Sequence, residues 1–213
     1  TLIAEDLKTI PTAFGELDVI KVVQALPGVK TMGEASTGLN VRGGATDQNL
    51  IQWNEGTIYN PSHLFGFFSA FNGSIVQDME LYKGSIPARY GGRISSVLDI
   101  HSRRGNKEKY QGEISLGLLT SSLALEGPIK KGKTSLLLAG RTTYSDWMLN
   151  LLPENSQYKN GKAGFYDANL LLSHQFSPKD NLYISGYYSH DRFNFLENEK
   201  YEYVNANASL QWA

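Results

Sequence analysis

The stretch "VNANASLQW", residues 204–212, alternates apolar and polar positions without a slip. Val204, Ala206, Ala208, Leu210 and Trp212 fall on one side, and Asn205, Asn207, Ser209 and Gln211 on the other. Side chains along a strand point to opposite faces in turn, so a period of two predicts a strand with one apolar and one polar face. Working back, "FYDANLLLSHQFS" (165–177) repeats the pattern. Ala168, Leu170, Leu172 and Phe176 stand against Asp167, Asn169, Ser173 and Gln175, and Leu171 breaks it. "GEISLGLL" (112–119), "SSLALEGPI" (121–129), "TSLLLAGRTTYSDW" (134–147) and "NLYISGYYSHDRF" (181–193) share the grammar. Six strands in antiparallel hairpins are predicted from residue 112 onward.

The connections alternate too. "KKGK" (130–133) and "PKD" (178–180) are tight turns, whereas "LLPENSQYKNGKAG" (151–164) and the region around "NFLENEKYE" (194–202) read as long. Short turns at one end and long loops at the other suit an outer-membrane barrel, whose strands need only about ten residues to span. A soluble sandwich alternates in the same way, so the pattern leaves both open. Trp147, Phe165, Tyr166, Phe176, Phe193 and Trp212 lie near strand ends, where interfacial girdles sit. No run of 18 apolar residues is present, so no transmembrane helix is predicted.

Composition narrows the classes. The chain has 213 residues, enough for one or two domains, with 20 basic and 21 acidic side chains. A net charge of −1 argues against a nucleic-acid binder. Cysteine is absent, which removes disulfides, thiolate metal sites and a Cys nucleophile. Many Gly, Tyr and Phe with 19% charged residues point to a β-rich protein. The opening "TLIAEDLKTIP" has no basic start and no apolar run, so the chain reads as cytosolic or as a trimmed mature piece.

One motif fits a nucleotide enzyme. "GPIKKGKT", Gly127 to Thr134, matches the phosphate-binding pattern G-x-x-x-x-G-K-[ST]. A helix must follow such a loop, and Gly140, Thr142, Thr143 and Tyr144 favour a strand. The loop therefore reads as a hairpin turn. His63, His101, His174 and His190 share no ligand spacing, and the carboxylate sets Asp78 with Glu80 and Asp191 with Glu197 and Glu199 read as solvated loop charge.

Residues 1 to about 106 have mixed grammar. "ELDVIKVVQALPG" puts Val19, Val22, Val23 and Leu26 on one helical face, stopped by Pro27 and Gly28. Short strands are predicted on either side of the "NEG" turn (54–56), in "MELYKG" and in "SSVLDIHS". Ser74 and Gln77 have capping-box spacing, which predicts a helical turn or two over "SIVQDM". "RRGNKEK" (103–109) reads as a solvated linker. The fold class expected is α+β: a small mixed domain over 1–106, then antiparallel hairpins of an incomplete transmembrane β-barrel over 107–213.

"LPGV" (26–29), "NVRGG" (40–44), "IYNPSHLFGFFSAFN" (58–72) and "DMELYKGSIPARYGGRISSVLDI" (78–100) resemble, in order and spacing, the plug domain of TonB-dependent outer-membrane receptors, the Bacteroidetes type above all. Only "WNEG" departs, where that family has an "LDG" turn. The resemblance implies a 22-stranded barrel in the outer membrane of a Gram-negative bacterium, closed from within by the plug. It implies a transporter rather than an enzyme, with no cofactor and no metal. Its partners would be TonB, acting on a segment upstream of this chain, the remaining strands, an extracellular ligand such as a siderophore or glycan, and a surface lipoprotein. Tyr59, Asn60, His63, Phe65 and Phe67 would present a binding surface at the plug apex. Gly43, Gly44, Gly91 and Gly92 would let backbone approach the barrel wall, and Arg42, Arg89 and Arg93 would fork onto wall carboxylates or, alternatively, pair within the plug. Such contacts are polar and breakable, as a movable stopper needs. Six strands cannot close such a barrel, so the chain reads as a fragment prone to self-association. The competing readings are a soluble β-sandwich binding module and, behind it, the nucleotide enzyme.

Overall fold

Asp18 starts the first helix. Its carboxyl accepts from the Lys21 N–H at 3.0 Å, a side-chain cap that satisfies one of the free amide donors of the first turn. The computed structural model describes residues 2–3, 18–30, 38–154, 156, 159, 161–196 and 199–213. Helix α1 (Val19–Gln24) buries Val19, Ile20, Val22 and Val23, and Gly28, at φ 81°, takes the left-handed turn that leads away from it. The short strands that follow are β2 (Val29–Lys30), β3 (Asn40–Val41), β4 (Asn49–Trp53), β5 (Gly56–Thr57), β6 (Ser62–His63), β7 (Phe68–Ser69), β8 (Val76–Tyr82) and β9 (Ser96–Ser102). With β1 (Leu2–Ile3) they make a five-stranded sheet in the order β1-β8-β9-β4-β5, and two small ribbons, β2-β3 and β6-β7. Strands β4 and β9 run parallel; the other pairs are antiparallel.

The register places Ile51, Trp53, Met79, Leu98 and Ile100 on one face of that sheet. They form a single buried cluster with the α1 valines, Phe71 and Ile75. The predicted helix over "SIVQDM" is absent. Asn72, not Ser74, caps a single 3₁₀ turn at Gly73–Ile75, and Val76 already pairs with Ser102. A β-branched residue beside a free sheet position goes into the sheet.

The second half is a meander of six strands: β10 (Gln111–Leu116), β11 (Thr120–Lys130), β12 (Thr134–Thr143), β13 (Lys162–Ser177), β14 (Asp180–Leu196) and β15 (Glu199–Trp212). All neighbours are antiparallel. Residues 127–134 are a hairpin: Gly127 pairs with Leu136 across it and Gly132, at φ 73°, turns the chain. The region 194–202 is not a long loop, because β14 and β15 stay paired to Leu196 and Glu199. The 144–161 connection carries the short helix α2 (Asp146–Asn150). Of the expected girdle residues, Phe165 and Phe193 turn inward and are buried, while Trp147 sits on α2.

Burial in this sheet is inverted. Asp167, Asn169, Ser173, Ser185, Ser189 and Asp191 are buried, and Leu138, Leu170, Tyr188, Leu210 and Trp212 are exposed. The polar face lies against the amino-terminal unit and the apolar face looks outward. On the outer face Tyr166 nears Tyr188 (6.2 Å), and Phe176 stacks on Trp212 (5.2 Å). From Tyr166 to Phe176 is about 34 Å along the strand, or about 24 Å when tilted by about 45°, the height of an outer-membrane barrel's apolar band. Among the described residues no helix is long and apolar enough to cross a membrane.

The linker is fastened rather than solvated. Arg103 donates to the Ser74 carbonyl and pairs with Glu126, and Glu126 also accepts from the Asn106 N–H at 2.9 Å. Lys107 reaches Gln175. Gly105 lies so close that a Cβ there would stand 2.6 Å from the Leu136 carbonyl oxygen.

Candidate functional site

The ribbon β6-β7 is a tight hairpin, with Ser62 opposite Ser69 and His63 opposite Phe68. Asn60 prepares it, its side-chain oxygen accepting from the Ser62 N–H and hydroxyl. Three consecutive residues of its turn, Leu64 (φ 50°), Phe65 (φ 55°) and Gly66 (φ 105°), are left-handed. Glycine adopts this freely; for Leu and Phe it costs about 1–3 kcal/mol each, so something must hold them.

What holds them is the sheet. The Asp191 carboxyl meets His63 Nδ1 at 2.7 Å and accepts from the Leu64 N–H at 3.2 Å. The Arg141 guanidinium donates to the Ser69 carbonyl at 2.7 Å and is itself held by Asp167 at 2.7 and 2.8 Å. The Tyr203 hydroxyl donates to the Ser62 carbonyl at 3.1 Å. Asp167 stands 3.5 Å from His63 Nε2. Strands β12, β13, β14 and β15 thus each supply polar side chains around a single hairpin, β14 adding Tyr187, whose hydroxyl lies 3.5 Å from His63 Nε2. The His63 ring stacks on Phe165 at 4.1 Å, and Leu64 and Phe68 join Phe165 and Phe193 in a second apolar cluster.

Lower on the seam, Asn207 donates to the Thr57 carbonyl, and Ser135–Ser173 and Ser185–Ser209 pair along the sheet. A cavity of about 450 Å³ separates Asn54, Glu55 and His101 from Ser173, Ser185 and Ser209. Apolar contacts join the polar ones: Leu137 and Leu171 of the sheet are buried in the main cluster. The inward turn of Leu171 is the physical reason for its break in the alternation.

Residues 8–97 match the family model of the TonB-dependent Receptor Plug Domain. The amino-terminal region of this chain is a TonB-dependent receptor plug domain. Solved structures agree on the fold. The chain is similar to the siderophore receptor PirA from Pseudomonas aeruginosa (17% identity, 99% of this chain and 40% of that one, TM-score 0.62) and to PirA from Acinetobacter baumannii (20%, 90% and 31%, 0.63). The outer membrane transporter YddB from Escherichia coli is similar too (13%, 99% and 36%, 0.63). The chain spans about a third to two fifths of the length of these proteins. A search of the curated proteins gave no match. An outer-membrane location in a Gram-negative bacterium goes with this domain and this fold.

The plug residues expected to touch the wall do not reach the six strands. Arg42 and Gly43 form a tight turn at φ 50° and 83°, and Gly44 approaches Ser95 within the plug itself. Arg89 packs on Tyr90 and donates to its hydroxyl; Arg93 donates to the Gly92 carbonyl. Nothing lies within 4 Å of a Cβ built at Gly91 or Gly92. Among the described residues, none of these three arginines pairs with a wall carboxyl. The closest glycine on the seam is Gly56, whose added Cβ would meet the Asn207 amide at 2.1 Å, in the very "WNEG" turn that departs from the family pattern.

The expected apex residues split. Tyr59 is 81% exposed, and Phe65 and Phe67 are also exposed. Asn60 is half-buried and His63 is wholly buried, so His63 belongs to the seam. Asp191, read from sequence as loop charge, is equally buried; Glu197 lies outside the described residues. The signal for Asp191 was its place on the polar side of a strand, in register with Phe165. A separate polar cluster lies inside the plug, where His101 bridges Asp78 (2.8 Å) and Asp99 (3.4 Å). The bond to Asp99 outweighs burial and, with Asp78, pushes His101 up to about 9. Burial alone would raise Asp99, but hydrogen bonds with His101 and Tyr90 hold it below its ordinary value.

Proposed function

We propose that this chain is the plug and opening wall strands of a Bacteroidetes-type active importer, in which TonB-coupled displacement of the plug admits a nutrient ligand. The supporting observation is the inverted wall. Its apolar side suits hydrocarbon, and its mainly polar side grips a plug whose apolar core it meets through Leu137 and Leu171. Residues 1–106 act as the movable unit and 107–213 as the start of the fixed one. Neighbours described as siderophore receptors favour a siderophore as cargo over a glycan. Tyr59, Phe65 and Phe67 meet it on the plug apex, beside loops contributed by the rest of the barrel. Arg42, Arg89 and Arg93 serve wall strands beyond these six.

TonB acts on the amino-terminal side of the plug. Force applied there enters the plug through β1, which edges the sheet at β8. Seam contacts that are mostly single hydrogen bonds can break in succession, while the apolar patches reseal the lumen. The nucleotide reading loses its loop to a hairpin, and a water-soluble sandwich would not leave so apolar a face outward.

A cysteine pair tests displacement, since the chain has no cysteine of its own. In the full receptor, Thr57→Cys with Asn207→Cys should, once oxidised, stop uptake of ferric siderophores while surface binding persists. Reductant should restore uptake. Import that continues through a formed cross-link, or that survives loss of TonB, would refute the mechanism.

A further inference from the structure

We propose that the wall carboxyl of Asp191, with Tyr203 and the Asp167–Arg141 pair, is a positioning device that holds the Leu64–Gly66 turn in its left-handed form and so fixes Phe65 and Phe67 at the apex. The role assigned to these rings in ligand contact rests on the importer reading; the holding of the turn does not.

The geometry carries it. A four-residue turn in which an aliphatic and an aromatic residue both take positive φ does not persist unless its surroundings over-determine it. Within the hairpin the turn is closed by one bond, from the Phe67 N–H to the Leu64 carbonyl at 3.2 Å. The β6-β7 pairing of His63 with Phe68 frames it, and further grip comes from outside the hairpin. One carboxyl spans two consecutive residues at the entry to the turn, taking the Leu64 N–H on one oxygen and facing His63 Nδ1 with the other. The entry and exit carbonyls, Ser62 and Ser69, are taken by Tyr203 and Arg141. The Phe193 ring, two residues from Asp191, lies 4.0 Å from the Phe65 ring. Backbone and ring are thus both set by β14, and all the gripping side chains are buried or half-buried. An apex that is preset in this way presents its rings without first ordering them, which raises affinity for whatever they touch. It also ties the exposed surface to the wall through the first residue of the turn.

Hydrogen exchange on the full receptor in detergent micelles tests this without any cargo. Asp191→Ala removes both acceptors, and amide exchange at Leu64 and Phe67 should rise about 100-fold while β4, β8 and β9 keep their protection. Asp191→Asn keeps one acceptor oxygen and should give about a tenfold rise, a partial rescue that a general packing defect would not show. Tyr203→Phe deletes a single hydroxyl, cannot unfold the wall, and should raise exchange at Ser62 and Leu64 several-fold. Maleimide labelling of Phe67→Cys should quicken in the Asp191→Ala background. Unchanged exchange in the turn for Asp191→Ala and Tyr203→Phe, or loss of protection spread evenly over the plug, would overturn the assignment. A receptor that passes these tests yet imports nothing would keep the device and lose the importer.

Discussion

The two halves of this chain obey opposite rules of burial. In the plug, Val19, Ile20, Ile75, Leu98 and Ile100 are sealed from solvent and most charges lie outside, with Asp99 a buried exception beside His101. In the wall, Asp167, Ser189 and Asp191 are sealed, while leucines, tyrosines and Trp212 look outward. Both halves bury apolar surface away from water, but the wall's apolar partner is hydrocarbon that the chain does not itself provide. The difference teaches where each half gets its stability. The plug carries a core that can stand against a polar lumen; the wall depends on lipid on one side and on the plug on the other.

The largest effect expected follows from the plug's own core. Trp53 is buried and packs against Phe71 at 5.7 Å. Trp53→Ala should destabilise the plug by about 3–5 kcal/mol, read as an early unfolding step of the plug in the purified receptor with the barrel transition unmoved. If both transitions moved together, the contacts of Leu137 and Leu171 with the plug core would bind the halves into one cooperative unit and the contrast would fail.

Adjacent wall residues give the next test. Leu170 faces outward near mid-band, and Asn169, one position earlier, is buried against the plug with neither side-chain atom partnered among the described residues. Leu170→Arg should cost about 2–4 kcal/mol for folding of the full receptor into lipid vesicles. Asn169→Leu should cost close to nothing, because it removes buried polar atoms that make no bond. Reversed costs would mean the apolar face is not the lipid face.

The contrast explains what could be read from the sequence. Strand positions of the wall were legible because period-two alternation is a local signal, and it placed Asp167, Asn169 and Ser173 on the face opposite Leu170 before any contact was known. Plug strands β8 and β9 were legible as short apolar runs between turn residues. The seam was not. His63 and Asp191 are 128 positions apart, and nothing local in "PSHLF" or "SHDRF" says that they meet. Glycines 43 and 44 looked like points of approach to the wall, but a double glycine signals a turn without saying what lies opposite. Gly56 makes that approach because the β4-β5 hairpin is aimed at β15, a matter of topology. The region 194–202 read as a long loop, but Lys200 and Glu202 are exposed charges on a strand whose backbone stays paired to Leu196 and Glu199.

The smallest effect concerns two histidine settings. His63 is held by wall carboxyls, whereas His101, on the plug side of the seam cavity, is held by two plug carboxyls, Asp78 and Asp99. Its raised folded value, about 9, lies above the ordinary 6.5 of the unfolded chain. The imidazolium therefore stabilises the plug fully below about pH 6.5, and that contribution is lost as pH rises through 9. The full displacement would be worth about 3 kcal/mol, but a third of the His101 side chain is exposed, and screening reduces it to about 1 kcal/mol. Asp99 works in the other direction: its lowered value means that its share is lost as pH falls through the acid range. The plug transition should thus be highest between about pH 5 and 7 and decline towards pH 9. His101→Gln should flatten the alkaline limb by removing the titrating group, and should weaken the acid limb to the share that Tyr90 still supplies. A plug whose alkaline decline survived that substitution would owe it to the seam, and the division between the plug's internal cluster and its contacts with the wall would have to be redrawn.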